Sequence, residues 1–239
     1  MACPRADQAT VEASSRLGFV PFADSPATYG LVALIALAGY VVGSFSSGYI
    51  VGKLYRNVDL RDVGSGSTGS TNALRALGPG AAGLVAILDI AKGALAVYLA
   101  QLLVPAQSEW RPIAEAVAGT TAVAGHCWPI TLRGRGGRGI ATGFGALLFI
   151  ASPSALVAVL FFGIGIAVTR IVSVGSLSSV AGALVGYLLL SWLGLLPFHW
   201  APLTFILVAG VIVVVRHVDN IRRIISGREP RLGEPLRSS

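Results

Sequence analysis

An all-α bundle of about seven membrane-spanning helices is the fold class this sequence predicts, and three observations predict it. Of 239 residues, 54% are hydrophobic and 12% charged, about half the ~25% charged share of a soluble domain. Mean hydropathy is +0.74. The apolar residues are gathered into runs, several of them of about 20 residues, long enough to cross ~30 Å of hydrocarbon as helix. Together these exclude a disordered chain, a soluble enzyme domain and a disulfide scaffold. Cys3 lies in a polar segment and Cys127 in an apolar one, so a disulfide between them is not expected.

The elements follow in chain order. Residues 1–28 mix charge, proline and small residues without an apolar core, which reads as a polar N-terminal tail and not as a signal peptide. The first span runs from Tyr29 to about Val51 and is followed by a glycine-rich loop from Lys53 to Pro79. A second span covers Gly80–Val104, Pro105–Pro112 is a short wet turn, and the third span covers Ile113–Leu132, ending in the run Arg133-Gly-Arg135-Gly-Gly-Arg138-Gly. Residues 139–168 are split near Ser152-Pro153-Ser154 into two pieces of roughly 13 and 15 residues, either tilted crossings or one half-helix packed inside the bundle. Arg170 and the serine-rich stretch Ser173–Ser179 precede two last spans, Val180–Leu196 and Ala201–Val215, joined by an interfacial turn at Leu195–Trp200. Seven crossings result, with five or six as the rival count. The domain reading is a tail at 1–28, a membrane domain at 29–218 and a basic cytoplasmic tail at 219–239.

Net charge is +7, and its distribution sets an orientation. In the seven-span arrangement one side holds the loops 52–79, 133–138 and 170–178 and the tail from 216, with 14 of the 18 Lys and Arg; the other side holds Arg5, Arg16 and Arg111. The positive-inside rule then puts the N-terminus outside and the C-terminus in the cytoplasm. Because the basic residues punctuate apolar spans instead of covering a face, nucleic acid is not an expected partner. The lipid bilayer is.

The same side gathers the polar motifs. In the first loop, Gly64, Gly66 and Gly69 let backbone N–H groups approach an oxyanion, hydroxyls and Asn72 add donors, and Arg61 and Arg75 add charge. A helix starting near Ser70–Asn72 would point its N-terminus at that anion; the alternative is a flexible turn. In the second loop three arginines separated by glycines repel one another unless an anion sits among them. Topology alone explains the charge but not four glycines in seven residues. His217 and Asn220, three apart on a helix, share a face suited to a phosphate or an acyl carbonyl, or to interfacial anchoring. His126 reads as a structural hydrogen-bonder, and Asp89 with Lys92 as an internal ion pair, a proton or ion relay being the sharper reading. No metal-ligand spacing and no nucleophile elbow is present, which suggests transfer between two bound substrates by positioning and electrostatics.

Seven motifs in register carry a family resemblance. They are Gly43-Ser44-Phe-Ser-Ser-Gly48; Asp59-Leu-Arg61 through Gly64-Ser65-Gly66 to Asn72 and Arg75; Leu88-Asp89-Ile-Ala-Lys92-Gly93; Gly125-His126-Cys-Trp-Pro129; Gly136-Gly137-Arg138-Gly139-Ile-Ala-Thr142; Val172-Ser173; and Arg216-His217-Val-Asp-Asn220-Ile. Over roughly residues 29–230 the chain resembles the PlsY-type bacterial glycerol-3-phosphate acyltransferases. The resemblance implies a seven-helix protein of the bacterial inner membrane with its site at the cytoplasmic face. It also implies acyl transfer from acyl phosphate to the 1-hydroxyl of glycerol 3-phosphate, giving lysophosphatidate and phosphate at the start of phospholipid synthesis. The attack would be substrate-assisted, with no cofactor and no metal, and with a functional link to the soluble enzyme that forms acyl phosphate. By matching position, Ser65, Arg75, Arg138, Ser173, His217 and Asn220 would be catalytic. Gly64, Gly66, Gly69, Asn72, Arg135, Gly136 and Gly137 would bind phosphate. Ser67 stands where the family usually has Asn, Arg135 and Arg138 stand at its Lys positions, and Arg133 is an added cation; Arg keeps the charge but widens it into a fork. A membrane transporter of an organic phosphate and a non-catalytic paralogue are the competing readings.

Overall fold

The computed structural model of the chain describes residues 25–234. Residues 1–24, with Cys3 and most of the expected N-terminal tail, and residues 235–239, the end of the expected C-terminal tail, lie outside the described residues. Ten α-helices and one 3₁₀ turn make up the described fold, with no strand among the described residues: α1 (Pro26–Ser44), α2 (Ser47–Arg56), α3 (Ser70–Leu77), α4 (Pro79–Leu103), α5 (Arg111–Cys127), the turn Ile130–Leu132, α6 (Ile140–Ile150), α7 (Ser152–Thr169), α8 (Val172–Trp192), α9 (Trp200–Arg216) and α10 (Val218–Ile225).

Local chemistry sets the boundaries. The Ser25 hydroxyl accepts the Thr28 N–H at 3.2 Å and Pro26 opens α1, so the helix begins three residues before the span expected from hydropathy; capping and proline, not apolarity, decide its start. Pro79, Pro112 and Pro153 likewise sit in the first turns of α4, α5 and α7. The break at Ala151 leaves α6 as an 11-residue half-helix, in accord with the second of the two readings above. The serine-rich stretch, read from sequence as a loop, forms the first two turns of α8. Serines tolerate helix interiors where tertiary packing favours them.

Four segments are long and apolar enough to cross a membrane alone: Pro26–Arg56, Pro79–Leu103, Ser152–Thr169 and Val172–Trp192. A fifth arises if α9 and α10 are taken across their 60° bend. All seven expected spans are helical, yet by length and apolarity the count of seven is not reached, because α5 has 17 residues and α6 has 11.

Helices in lipid gain little by hiding apolar surface from one another, so close contact between small residues holds them. Gly39 and Gly43 of α1 face Ala118 and Ala122 of α5; a Cβ on Gly43 would lie 2.1 Å from the Ala122 carbonyl. Gly93 of α4 lies as tightly on the Thr142 carbonyl of α6, and Gly145 of α6 on Ile90. Larger apolar side chains such as Leu37, Ile87, Leu160 and Val211 face outward, as a lipid-facing surface requires. Hydrogen bonds join the charged loops to one another at one end of the bundle, Arg135 to the Arg61 carbonyl, Arg216 to the Gly136 and Gly137 carbonyls, and the Leu232 N–H to the Arg170 carbonyl.

Candidate active site

The first loop is organised around Asn72. Its Nδ2 donates to the carbonyls of Leu60, Val63 and Ser67 at 2.8, 3.1 and 2.9 Å, and its Oδ1 accepts the Ser65 N–H at 2.9 Å. Gly64 adopts φ +57°, and a Cβ there would meet Asn72 Oδ1 at 2.2 Å. Glycine is therefore required at this position by both backbone and space. Asp59 and Arg61 pair at 2.6 Å, and the hydrogen bond from Arg61 is the main reason that the Asp59 carboxyl is held down to about 2. The result is a rigid loop from which α3 projects Arg75 into a cavity.

The second loop lies against its neighbour's backbone. A Cβ on Gly136 would sit 2.1 Å from the His126 carbonyl, and one on Gly137 would sit 2.0 Å from His126 Nε2. The Gly137 N–H donates to the His126 carbonyl at 3.0 Å, while Arg216 donates to the carbonyls of Gly137 and Gly136 at 3.0 and 3.2 Å. The two glycines are thus clamped between His126 and Arg216, and Arg138 follows them into the cavity. Arg135 turns the other way, half-exposed, to the Arg61 carbonyl and Asp62.

Behind this loop is a buried ionic cluster. Asp89 accepts a short hydrogen bond from the Ser47 hydroxyl, pairs with Lys92 at 2.9 Å and lies 3.4 Å from His126 Nδ1. Lys92 also donates to the Phe45 carbonyl at 2.7 Å, which the break between α1 and α2 leaves without a helical partner. The expected internal ion pair is present, and His126 belongs to the same cluster.

The third contribution comes from the chain after α9. Its bend brings Asn220 and Glu229 back over the start of α8. Glu229 accepts from the Ser173 hydroxyl at 2.7 Å, from Asn220 Nδ2 at 2.5 Å and from Arg223 Nε at 2.6 Å. Burial alone would raise its carboxyl; these three bonds overcome that and hold it below the ordinary range. His217 is 1% exposed, and burial pushes its imidazole down to about 4 despite the Val213 carbonyl, 2.8 Å from Nδ1. A neutral ring whose Nδ1–H is donated to Val213 leaves Nε2 as an acceptor. Asn220 Oδ1 is buried without a hydrogen-bond partner among the described residues.

These elements enclose one cavity of about 420 Å³. Its polar end carries Gly69, Asn72, Arg75, Arg138, Ser173, His217, Asn220 and Glu229, with Asp89 and His126; its apolar end is lined by side chains such as Phe144, Leu147, Phe162, Phe205 and Val213. The guanidinium groups of Arg75 and Arg138 make no hydrogen bond or ion pair with any described residue. Burial pushes both guanidinium groups down, Arg138 to about 10, with Glu229 opposing and the neighbouring arginines reinforcing. Two desolvated, unpartnered cations can hold an anion, and the apolar extension has room for the tail of an amphiphile. No group of three His, Cys, Asp or Glu suited to a metal occurs among the described residues.

Of the residues expected from sequence, Gly69, Asn72, Arg75, Arg138, Ser173, His217 and Asn220 meet at the cavity. Ser65, with a buried unpartnered hydroxyl, Gly64, Gly66, Arg135, Gly136 and Gly137 stand behind it or beside it and shape the two loops. Sequence reasoning missed Glu229, which reads as a solvated tail residue, and Ser176 and Ser179, which follow Ser173 at three and six residues and so share its helix face, the available signal.

The sequence pattern of the family described as glycerol-3-phosphate acyltransferase matches residues 33–227. Glycerol-3-phosphate acyltransferases are among the similar proteins. That of Parasynechococcus marenigrum (strain WH8102) is 44% identical over 205 residues, covering 85% of this chain and 92% of the relative. That of Gloeobacter violaceus is 41% identical over 198 residues, covering 83% and 93%. The fold is similar to the crystal structure of PlsY (YgiH), an integral membrane glycerol 3-phosphate acyltransferase. Its glycerol 3-phosphate form gives a TM-score of 0.73 at 31% identity, covering 84% of this chain and 96% of that one. Its lysophosphatidic acid form gives 0.72 at 29% identity, covering 84% and 94%.

Proposed function

The chain belongs to the glycerol-3-phosphate acyltransferase family, and from that premise we propose that it transfers an acyl group from acyl phosphate to the 1-hydroxyl of glycerol 3-phosphate, releasing lysophosphatidate and phosphate. One observation carries the reading: two unpartnered guanidinium groups, Arg75 and Arg138, at the head of a cavity that continues as an apolar channel. The arginines hold the two phosphates and the channel holds the acyl chain. His217 Nε2 and Asn220 Oδ1, both free to accept, orient the glycerol hydroxyls. The 1-hydroxyl oxygen attacks the acyl carbonyl carbon, the bond from that carbon to the phosphate oxygen breaks, and the hydroxyl proton passes to a phosphate oxygen. Burial lowers the His217 imidazole to about 4, which makes it a weak base, so the base in this reading is a substrate phosphate. Catalysis then rests on positioning and on cations fixed where charge moves.

The site lies at the cytoplasmic face of the bacterial inner membrane, with the C-terminus inside; the 14-to-3 distribution of basic residues supports this. The test is a donor comparison with purified protein in lipid, offering acyl phosphate, acyl-CoA and acyl-carrier protein with glycerol 3-phosphate. Lysophosphatidate identified by mass, formed with acyl phosphate alone, is expected. Absence of product from acyl phosphate, or equal use of a thioester donor, overturns the reading. Cysteine labelling that placed residues near 66 and 135 on opposite faces of the bilayer would overturn the shared site.

A further inference from the structure

The buried cluster of Asp89, Lys92 and His126 has no assigned part in the chemistry, although Asp89 and His126 reach the cavity wall. It occupies the core between the break after α1, the middle of α4 and the end of α5. Toward the second loop it presents a surface: the His126 ring and carbonyl are what Gly136 and Gly137 rest on. A hypothetical Cβ at Gly137 would fall 2.0 Å from Nε2 and 2.5 Å from Cε1 of that ring. The Gly137 N–H is bonded to the same residue's carbonyl at 3.0 Å. The ring is in turn oriented by Asp89, 3.4 Å from Nδ1, and Asp89 by Lys92 and the Ser47 hydroxyl. Arg138 is the next residue along the loop, and it has no partner of its own to fix it.

We propose that Asp89 and His126 are positioning residues that set where Arg138 enters the cavity, by fixing the ring on which Gly136 and Gly137 are seated. The contact explains two features that a phosphate-cradling role for the glycines leaves unaccounted for. Both glycines lack room for a side chain on the protein side, toward His126, and neither lines the cavity. An ionic cluster is also retained inside an apolar bundle where an unpaired charge is expensive, and it is satisfied in a way that points one ring at one loop. A loop displaced by about 1 Å is enough to lower turnover on the order of a hundredfold when it carries a substrate-holding cation.

The inference rests on the reading of Arg138 as a phosphate ligand, so its test has one arm that needs no turnover. Full-length wild type, His126→Ala, Asp89→Asn and Gly137→Ala are reconstituted in lipid, and amide exchange is followed by mass spectrometry for the segment around Gly137. Exchange there is expected to quicken about tenfold or more in each variant, while the Asn72-held segment 60–67 keeps its wild-type rate. In the second arm KM and kcat are measured for acyl phosphate and glycerol 3-phosphate. Gly137→Ala, which leaves Asp89, Lys92 and His126 in place and only lifts the loop from the ring, is expected to raise KM for a phosphorylated substrate as His126→Ala does. The His126→Ala, Gly137→Ala double variant is expected to lose no more than the worse single variant, because removing the ring removes the collision. Unchanged exchange at Gly137, or unchanged KM in Gly137→Ala, overturns the inference, and fully additive losses do so as well. If His126→Ala does not fold, Gly137→Ala and Asp89→Asn decide it. A wild type that makes no lysophosphatidate defeats the functional reading instead, and the exchange arm still stands.

Discussion

Replacing Arg138 with alanine separates a residue kept for binding from one kept for folding. The guanidinium is desolvated to the point that burial pushes it down to about 10, and no described residue bonds to it. Its neighbours Arg223, Arg75 and Arg216 disfavour its charge, with Glu229 alone opposing them. In the substrate-free protein its removal therefore leaves no stranded counter-charge, and loss of the stem's packing is set against relief of repulsion. With substrate bound the position differs: a fork to a phosphate makes up to two charge-assisted hydrogen bonds, each worth about 1.5–3 kcal/mol. A net loss of about 3–4 kcal/mol in the transition state follows, on the order of 10²–10³ in kcat/KM. The assay pairs lysophosphatidate formation with thermal unfolding in the same detergent. Arg138→Ala should lose that activity with Tm lowered by no more than about 2 °C. Arg138→Lys, which keeps the charge and loses the fork, should stay within about tenfold of wild type. An Arg138→Ala protein with near-wild-type kcat/KM, or one whose lost activity tracks a large fall in Tm, refutes the reasoning.

Four further outcomes follow from the same geometry. Glu229→Gln should destabilise the protein at pH 7 by about 2–4 kcal/mol, since Ser173, Asn220 and Arg223 lose a charged acceptor. Because the folded carboxyl is held below its ordinary value, its contribution is full above about pH 4–5 and is lost as pH falls through the folded value; wild type should therefore weaken on acidification where Glu229→Gln changes less. Asn72→Asp, although isosteric, confronts three carbonyls with a carboxylate and should abolish activity while exposing the amides of residues 60–67 to rapid exchange. His217 stays neutral down to about pH 4, so His217→Asn should lower the kcat/KM profile above pH 5 without moving its inflections. Ala158 is buried at the apolar end of the cavity; Ala158→Leu should shift preference toward shorter acyl chains, with the long-to-short ratio in a mixed-donor assay falling about tenfold.

How much of this was legible differs by element, for physical reasons. Hydropathy located every apolar segment, since lipid-facing and core positions are both apolar in a membrane bundle, and the Ser152-Pro153 break was readable because proline opens a helix and cannot continue one. The number of crossings was not readable from length, because α6 is apolar but has 11 residues, well short of the ~20 that one helix needs to cross ~30 Å of hydrocarbon without tilt or local thinning. Arg75, Arg138, His217 and Asn220 line the cavity; the glycine-rich loop, the arginine–glycine cluster and the shared helix face drew attention to them, and the family resemblance gave them their expected roles. Asn72 was found for a different reason from the one the structure gives: its amide organises the loop and is spent on backbone. Gly136 and Gly137 were noticed as glycines, but only packing against His126 shows which side of the loop demands them.

Glu229 was invisible because its burial is created by a bend. In a segment carrying Arg222, Arg223, Arg228 and Arg231, a lone glutamate looks like part of a solvated charge pattern. Once α10 turns 60° from α9, that carboxylate becomes 8% exposed and is bonded to Ser173 from α8 and Asn220 from α10. It neutralises Arg223, which it pairs at 2.6 Å, and leaves Arg75 and Arg138 unpaired. The cavity therefore closes with two cations unmatched, and in the proposed reaction a substrate pair bearing two phosphates supplies what the protein withholds. A second buried acid, introduced at Ser176 on the wall beside Ser173, would supply it prematurely. Ser176→Glu should raise Tm or leave it unchanged while raising KM for both phosphorylated substrates. Activity equal to wild type in that variant would mean that the unmatched charge is not what holds them.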